Sequence, residues 1–365
     1  MQRFLARAPV RVDPAGGGTD APPFSVEHGG RVVNFAIQRH AFASVDRLPA
    51  ASGVIVYSKD LEEGIVAPDA ECAGKSNGGR LEFLSAFVRR LVPAGESILL
   101  VTESDVPPGA GLGGSGALGV AVVAALDRAF GRTRAAEETA AVANSIERQD
   151  LGYPGGSQDS YGAALGGILD LEYHRGGRLE ARRIDCPLDA RLALEESSLL
   201  LYTSEAHVSG SIHRDIRGSY ARAGSPTVDA LTRLRESAAS MAQALGRGDL
   251  EQYVAAMRES SHNLYRLHPS CDSEEHRRAM RELAGWILGG KTCGAGGGGF
   301  LLVHARPGCR RECRRRAEEL GALVWPVTID FEGVQSWTAP ALRPNDVDRY
   351  RRAASGGATR ESRGT

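Results

Sequence analysis

Apolar and polar residues alternate in short runs at the start of the chain. Arg7–Val12, Arg31–Ile37, Ala41–Asp46, Gly53–Ser58 and Ser97–Glu103 each carry the period of two that predicts a strand. One helical segment interrupts them, with Leu81, Leu84, Val88 and Leu91 at i, i+3/i+4 spacing. Ala117–Phe130 is apolar almost throughout, which predicts a buried helix. Thr133–Gln149 predicts a second helix, closed by the turn-forming Gly152-Tyr-Pro-Gly-Gly156. Strands are expected at Gly167–Tyr173, Arg178–Asp185 and Ser198–Thr203, then helices at 227–246, 249–267 and 274–288. Strand Phe300–His304, helix Pro307–Leu320 and strand Ala322–Ile329 complete the pattern.

Strands first, then mixed helices and strands, indicate an α+β chain, and 365 residues suit two domains sharing an interface. The expected division is 1–190 and 191–343. The segment 344–365, rich in Arg, Ser, Gly and Ala, is expected to be a disordered tail. There are no internal repeats. An apolar fraction of 42% with 24% charged residues is ordinary for a globular protein, and a net charge of −1 draws it toward neither nucleic acid nor membrane. No run approaches the roughly 20 apolar residues of a membrane span, and no signal peptide is evident, so a cytoplasmic location is expected. Lysine occurs only at 59, 75 and 291; arginine supplies nearly all the positive charge, as a GC-rich genome would produce. Cys72, Cys186, Cys271, Cys293, Cys309 and Cys313 show neither C-x-x-C metal spacing nor the density of a disulfide scaffold.

The chemistry concentrates in three glycine-rich segments: Pro9-Val-Arg-Val-Asp-Pro-Ala-Gly-Gly-Gly-Thr-Asp20, Pro107-Pro-Gly-Ala-Gly-Leu-Gly-Gly-Ser-Gly-Ala117 and Lys291-Thr-Cys-Gly-Ala-Gly-Gly-Gly-Gly-Phe300. The middle one runs straight into the apolar helix, placing bare N–H groups and a positive dipole end where an anion would bind. Gly109–Gly114 and Gly294–Gly299 both match G-x-G-x-x-G, but Asp105-Val-Pro-Pro108 separates the first from its strand and a strand follows the second. A dinucleotide fingerprint needs strand, turn and helix in direct succession, and a Walker A loop needs a closing G-K-[ST], which is absent. Ser115 could simply cap its helix. Glu147 ends a predicted helix, where an anion opposes the dipole, whereas Asp159 falls in a first turn capped by Ser157, where it is favoured.

The order and wording of the three segments resemble those of the GHMP small-molecule kinases over most of the chain. Pro-x-x-x-Gly-Leu-Gly-x-Ser is that family's most specific signature; Gly114 departs from the common Gly-Leu-Gly-Ser-Ser form, removing one hydroxyl but not the metal-ligating serine. The resemblance implies the two-domain GHMP fold, with an N-terminal mixed-sheet domain, a C-terminal α/β domain and the active site in the cleft between them. It implies ATP and Mg²⁺ as cofactors. Pro108, Gly109, Gly111, Gly113, Gly114, Ser115 and Gly116 would bind the ATP phosphates, with Gly296 and Gly297 of the third segment folded over them. Ser115 and Glu147 would ligate Mg²⁺. Asp159, in the Gln-Asp-x-Tyr core, would orient or deprotonate the acceptor hydroxyl, with Arg11 beside it keeping it ionised. Asp20 would accept hydrogen bonds from sugar hydroxyls, in a substrate loop with Gly17, Gly18 and Thr19.

Ala15-Gly-Gly-Gly-Thr-Asp-Ala-Pro-Pro23, Ile146-Glu-Arg-Gln-Asp-Leu-Gly152 and the third glycine segment are similar to one branch, which holds D-glycero-D-manno-heptose 7-phosphate kinases, fucokinases and related sugar 1-kinases. The implied reaction is attack of an anomeric hydroxyl on the γ-phosphate of MgATP. Heptose 7-phosphate, giving the 1,7-bisphosphate, is the first choice of acceptor. A free-sugar 1-kinase, fucokinase- or galactokinase-like, is the alternative, favoured by Leu267-His-Pro-Ser-Cys-Asp272. A 7-phosphate requires cations, and His28, Lys75, Arg80, His207, His213 and Arg217 are available. The expected partner is a small-molecule sugar or sugar phosphate; the assembly is left open, with a homodimer as one option. Two other classes compete: a catalytically dead sensor, disfavoured by intact Ser115, Glu147 and Asp159, and a nicotinamide-dependent oxidoreductase, suggested only by G-x-G-x-x-G.

Overall fold

The computed structural model describes residues 2–75, 79–203, 209–222 and 224–357. Within them, a first sheet contains β1 (Gln2–Ala15), β2 (Gly30–Arg47), β3 (Val54–Ser58), β4 (Glu63–Ala67), β5 (Ile98–Ser104), β6 (Ile168–Tyr173) and β7 (Leu179–Arg183). The long β2 is its spine: Ala41–Arg47 pair with β5 and Gly30–Phe35 with β6. The two alternating runs read at 31–37 and 41–46 are therefore one strand. Their break is a register shift opposite Pro9 and Val10 of β1, a bulge that bends the strand without ending it.

The second sheet is antiparallel, built from β8 (Ser198–Tyr202), β9 (Ile287–Thr292), β10 (Phe300–Ala305) and β11 (Leu323–Pro326) in the order β11-β8-β10-β9. The chain then returns to its start. β12 (Gln335–Pro340) pairs antiparallel with β1, so the expected second domain of 191–343 gives its last strand to the first sheet. The expected helix over 274–288 also ends early, at Glu282, because 287–292 form β9.

The disordered tail is a further correction. Pro344–Gly357 is a helix, and Val347, Tyr350 and Ala354, at i, i+3 and i+7, cover Ile55, Leu99 and Val101 on the outer face of the first sheet. Arg351 fastens it by donating to the Ser52 carbonyl (2.9 Å). Residues 358–365 lie outside the described residues. Among the described residues, no helix is long and apolar enough to cross a membrane.

Helix Gly114–Ala129 lies on β1 and β2, and small and β-branched residues (Ala117, Val120, Val122, Val123) let it bury nearly every face. One hydrophobic cluster runs from Val10, Phe35 and Val120 through to Ala238, Met241 and Phe300. The two sheets thus share a core, and the N-terminus of that helix emerges where they meet.

Candidate active site

The second glycine segment turns from β5 into helix Gly114–Ala129. Gly113 is the N-cap at φ +69°, a left-handed conformation that favours glycine, and no side chain caps the helix. Ser115 is therefore not the cap. It lies exposed in the first turn, near enough to Glu147 for its hydroxyl to favour that residue's charged form. The first-turn N–H groups are left to an outside acceptor, at the positive end of a 16-residue helix. The loop leading to them is clamped from both sides. Arg11 donates its backbone N–H to the Leu112 carbonyl (3.0 Å) and Nη1 to the Gly111 carbonyl (2.6 Å), while the Phe300 N–H reaches the Ala110 carbonyl (3.0 Å). Pro108 and Gly109 form its exposed outer edge.

Arg11, at 4% exposure, directs Nε and Nη2 to the same oxygen of Asp159, at 2.8 and 2.6 Å. Burial disfavours the Arg11 charge, but Asp159 and Asp13 outweigh it and hold the guanidinium's pKa above its usual value. Asp159 Oδ2 has no hydrogen-bond partner among the described residues. Asp159 sits in the first turn of helix Gln158–Leu165, packed so tightly on the neighbouring helix that a Cβ on Gly116 would stand 2.5 Å from the Asp159 Cβ.

Glu147 belongs to the π-helical turn Ile146–Asp150 that ends helix Ala136–Ser145. Burial, reinforced by the Asp159 charge, pushes its carboxyl up to about 8, with the Ser115 hydroxyl pulling the other way. Among the described residues no Lys, Arg or His lies within ion-pair distance of it. A buried carboxyl beside a hydroxyl and a second carboxylate, with no cation of its own, fits a hard divalent ion such as Mg²⁺, which takes oxygen ligands. Asp20 is also buried, accepts the Gln158 N–H (3.1 Å), and is raised by that burial to about 6. Ser157 and Tyr173 bond through their hydroxyls (2.9 Å) nearby.

Two expectations need correction. Thr19 is fully buried and its hydroxyl is committed within the fold: it faces the Gly16 and Arg31 carbonyls (2.8 and 2.9 Å) and accepts the Arg31 N–H (3.0 Å). It shapes the substrate loop and cannot also reach a sugar. In the third segment the Gly297 N–H donates to the Cys271 carbonyl (2.8 Å), so this residue offers a phosphate close approach but no donor. Gly296 lies beside it, Gly17 packs against Asp13, and Gly18 faces a cavity bounded by Pro22, Pro23 and His213.

Sequence reasoning missed the pair that ties these parts together. Asp13, two residues after Arg11, accepts the Gly294 N–H (2.8 Å) and pairs with Lys291 Nζ (3.3 Å); both side chains are at most 1% exposed. The first sheet is thereby joined by a buried ion pair to β9 and the third glycine segment. The available signal was faint: a lysine at 291 in a chain that otherwise uses arginine.

Of the cations considered for a second phosphate, Lys75 and Arg80 are exposed and paired with Glu71 and Glu63 (3.7 and 2.5 Å). His28 stacks on Phe24, and His207 lies outside the described residues. His213 and Arg217 line the cavity beside Gly18.

The family model for the GHMP kinases N terminal domain matches residues 81–167, which contain the second glycine segment, Glu147 and Asp159. A D-glycero-alpha-D-manno-heptose 7-phosphate kinase of Campylobacter jejuni is 27% identical over 343 residues, covering 92% of this chain and 99% of the relative. A mevalonate kinase of Methanothermobacter thermautotrophicus is 30% identical over 246 residues, 64% of this chain and 73% of the relative. Among solved structures, a D-glycero-D-manno-heptose 1-phosphate kinase from Bacteroides thetaiotaomicron superposes with a TM-score of 0.75 at 22% identity, over 93% of this chain and all of that one, which shows the shared fold.

Proposed function

This chain belongs to the GHMP kinases, and on that premise we propose that it transfers the γ-phosphoryl group of ATP to the anomeric hydroxyl of D-glycero-D-manno-heptose 7-phosphate, giving the 1,7-bisphosphate. The observation that carries the reading is the Arg11–Asp159 pair, standing beside an uncapped helix N-terminus and a buried carboxyl without a cation. Similarity to a heptose 7-phosphate kinase over nearly its whole length supports the choice of acceptor.

Each group has a task in that reaction. The free N–H groups of the first helical turn hold the ATP phosphates against the exposed Pro108–Gly109 edge. Asp159, paired with Arg11, accepts the sugar hydroxyl's proton at Oδ2 as the O1–phosphorus bond forms and the bond to the β–γ bridging oxygen breaks. Arg11 also brings positive charge to the transferring group. Asp20 orients the sugar. Ser115 and Glu147 would hold Mg²⁺, which supplies charge neutralisation for the phosphates. A free-sugar 1-kinase remains the second reading, on the wording of Leu267–Asp272, whose Cys271 carbonyl seats Gly297. Competition between heptose 7-phosphate and free hexoses for turnover with MgATP decides between them; preference for an unphosphorylated sugar would select the second.

A further inference from the structure

Beside Asp20, helix Ser209–Tyr220 and the segment 18–24 enclose a cavity whose walls include Gly18, Pro22, Pro154, His213, Arg217 and Tyr220. Its polar chemistry is one-sided. His213 and Arg217 lie four residues apart on one helical face, and no carboxylate lines the space. Arg217 is exposed and has no ion-pair partner among the described residues. The neighbouring acids are engaged elsewhere: Glu27 accepts the Tyr220 hydroxyl, and Asp215 faces His268 at 3.9 Å.

An unpaired surface arginine alone would mean little, but this one shares its cavity with Gly18 of the substrate loop and with His213. Gly18 is two residues from Asp20, and His213 is near enough to Asp159 and Arg11 to feel both charges. The cavity therefore continues the sugar side of the cleft, away from the glycine loop proposed for ATP. Proline and glycine on the facing wall leave the Arg217 guanidinium and the His213 imidazole as its distinguishing groups. Guanidinium geometry matches phosphate oxygens, and a neutral imidazole still offers one N–H.

Resting on the kinase reading above, we infer that this cavity receives a phosphomonoester at the far end of the sugar, with Arg217 donating to its oxygens and His213 donating from the side nearer the sugar. These residues would give the enzyme its preference for a sugar already phosphorylated.

The test compares kcat/KM for D-glycero-D-manno-heptose 7-phosphate with that for unphosphorylated heptose, in wild type, Arg217→Met, His213→Gln and the exposed control Arg214→Met. Binding of heptose 7-phosphate without nucleotide is followed by calorimetry. Hydrogen bonds to charged groups are the stronger ones, so the preference for the phosphorylated sugar is expected to fall about tenfold or more in Arg217→Met, to fall also in His213→Gln, and to hold in Arg214→Met. Calorimetric affinity should fall in parallel, while an unchanged KM for ATP reports an intact fold. A wild type that prefers the 7-phosphate and an Arg217→Met variant that keeps that preference would overturn the cavity's assignment and leave the kinase reading standing. A wild type with no preference for the 7-phosphate would overturn both the cavity's role and the choice of heptose 7-phosphate.

Discussion

Lys291→Met removes one partner of the buried pair that joins the first sheet to the third glycine segment. Lys291 Nζ stands 3.3 Å from Asp13 Oδ2, both side chains are at most 1% exposed, and Lys291 also donates to the Thr292 carbonyl (2.9 Å). At that separation and an effective dielectric of about 20, the attraction is about 5 kcal/mol. Methionine fills most of the lysine's volume, so little of the loss is a cavity. What remains is a buried carboxylate with only Arg11 Nη1, at 4.0 Å, to offset its charge, so the cost should lie toward the lower end of the roughly 3–5 kcal/mol typical of a broken buried pair. Adding Asp13→Asn should recover much of that loss, because asparagine carries no charge and can still accept the Gly294 N–H through Oδ1. The assay is urea unfolding of the two single variants and the double variant, followed by circular dichroism. A Lys291→Met cost below about 1 kcal/mol, or a double variant as unstable as the sum of the singles, would show that the pair is not what holds the two sheets together here.

Asp159→Asn should lower kcat by about 10²–10⁴-fold with ATP affinity retained, as measured by single-turnover kinetics and nucleotide titration; near-wild-type kcat would remove Asp159 from the proton-accepting role. Ser115→Ala and Glu147→Gln should each raise the Mg²⁺ concentration for half-maximal rate, non-additively because both hold one ion; additive effects unrelated to Mg²⁺ would make one of them structural. Asp20, raised to about 6 by burial, is neutral below that pH and ionised above it. The sugar KM should therefore fall as pH rises from about 5 to 7, and Asp20→Asn should flatten that dependence. In the sugar-free protein the sign is opposite: between the ordinary carboxyl value and about 6, folded Asp20 keeps a proton the unfolded chain has lost, so its contribution to stability falls as pH rises. Gly116→Ala, whose methyl would stand 2.5 Å from the Asp159 Cβ, should reduce kcat more than the KM for ATP.

What could be read in the sequence was local or carried by spacing. The glycine loop, its helix, and the Arg11, Ser115, Glu147, Asp159 and Asp20 positions follow from short motifs. The structure brings Arg11 onto Asp159 and sets Ser115 near Glu147. Less legible was anything decided by distant segments. The Asp13–Lys291 pair spans 278 residues, and Lys291 lies in a strand that begins Ile-Leu-Gly-Gly, with little alternation to betray it. β12 is largely exposed and polar, and only its pairing with β1 makes it a strand. Helix Pro344–Gly357 reads as a charged tail because three apolar residues suffice when a sheet face waits for them. Thr19 failed for another reason: the motif identifies the loop but not which of its hydroxyls the fold has already used.

The central claim is that this chain phosphorylates the anomeric hydroxyl of heptose 7-phosphate from ATP, with Asp159 accepting the proton. ³¹P NMR of wild type and Asp159→Asn, each incubated with MgATP and D-glycero-D-manno-heptose 7-phosphate, tests it directly. Wild type should give a second phosphate signal coupled to the anomeric proton, with ADP in equal amount, and Asp159→Asn at least about a hundredfold less of both in the same time. Absence of that signal with wild type, a phosphate on any other carbon, or equal product from Asp159→Asn would contradict it.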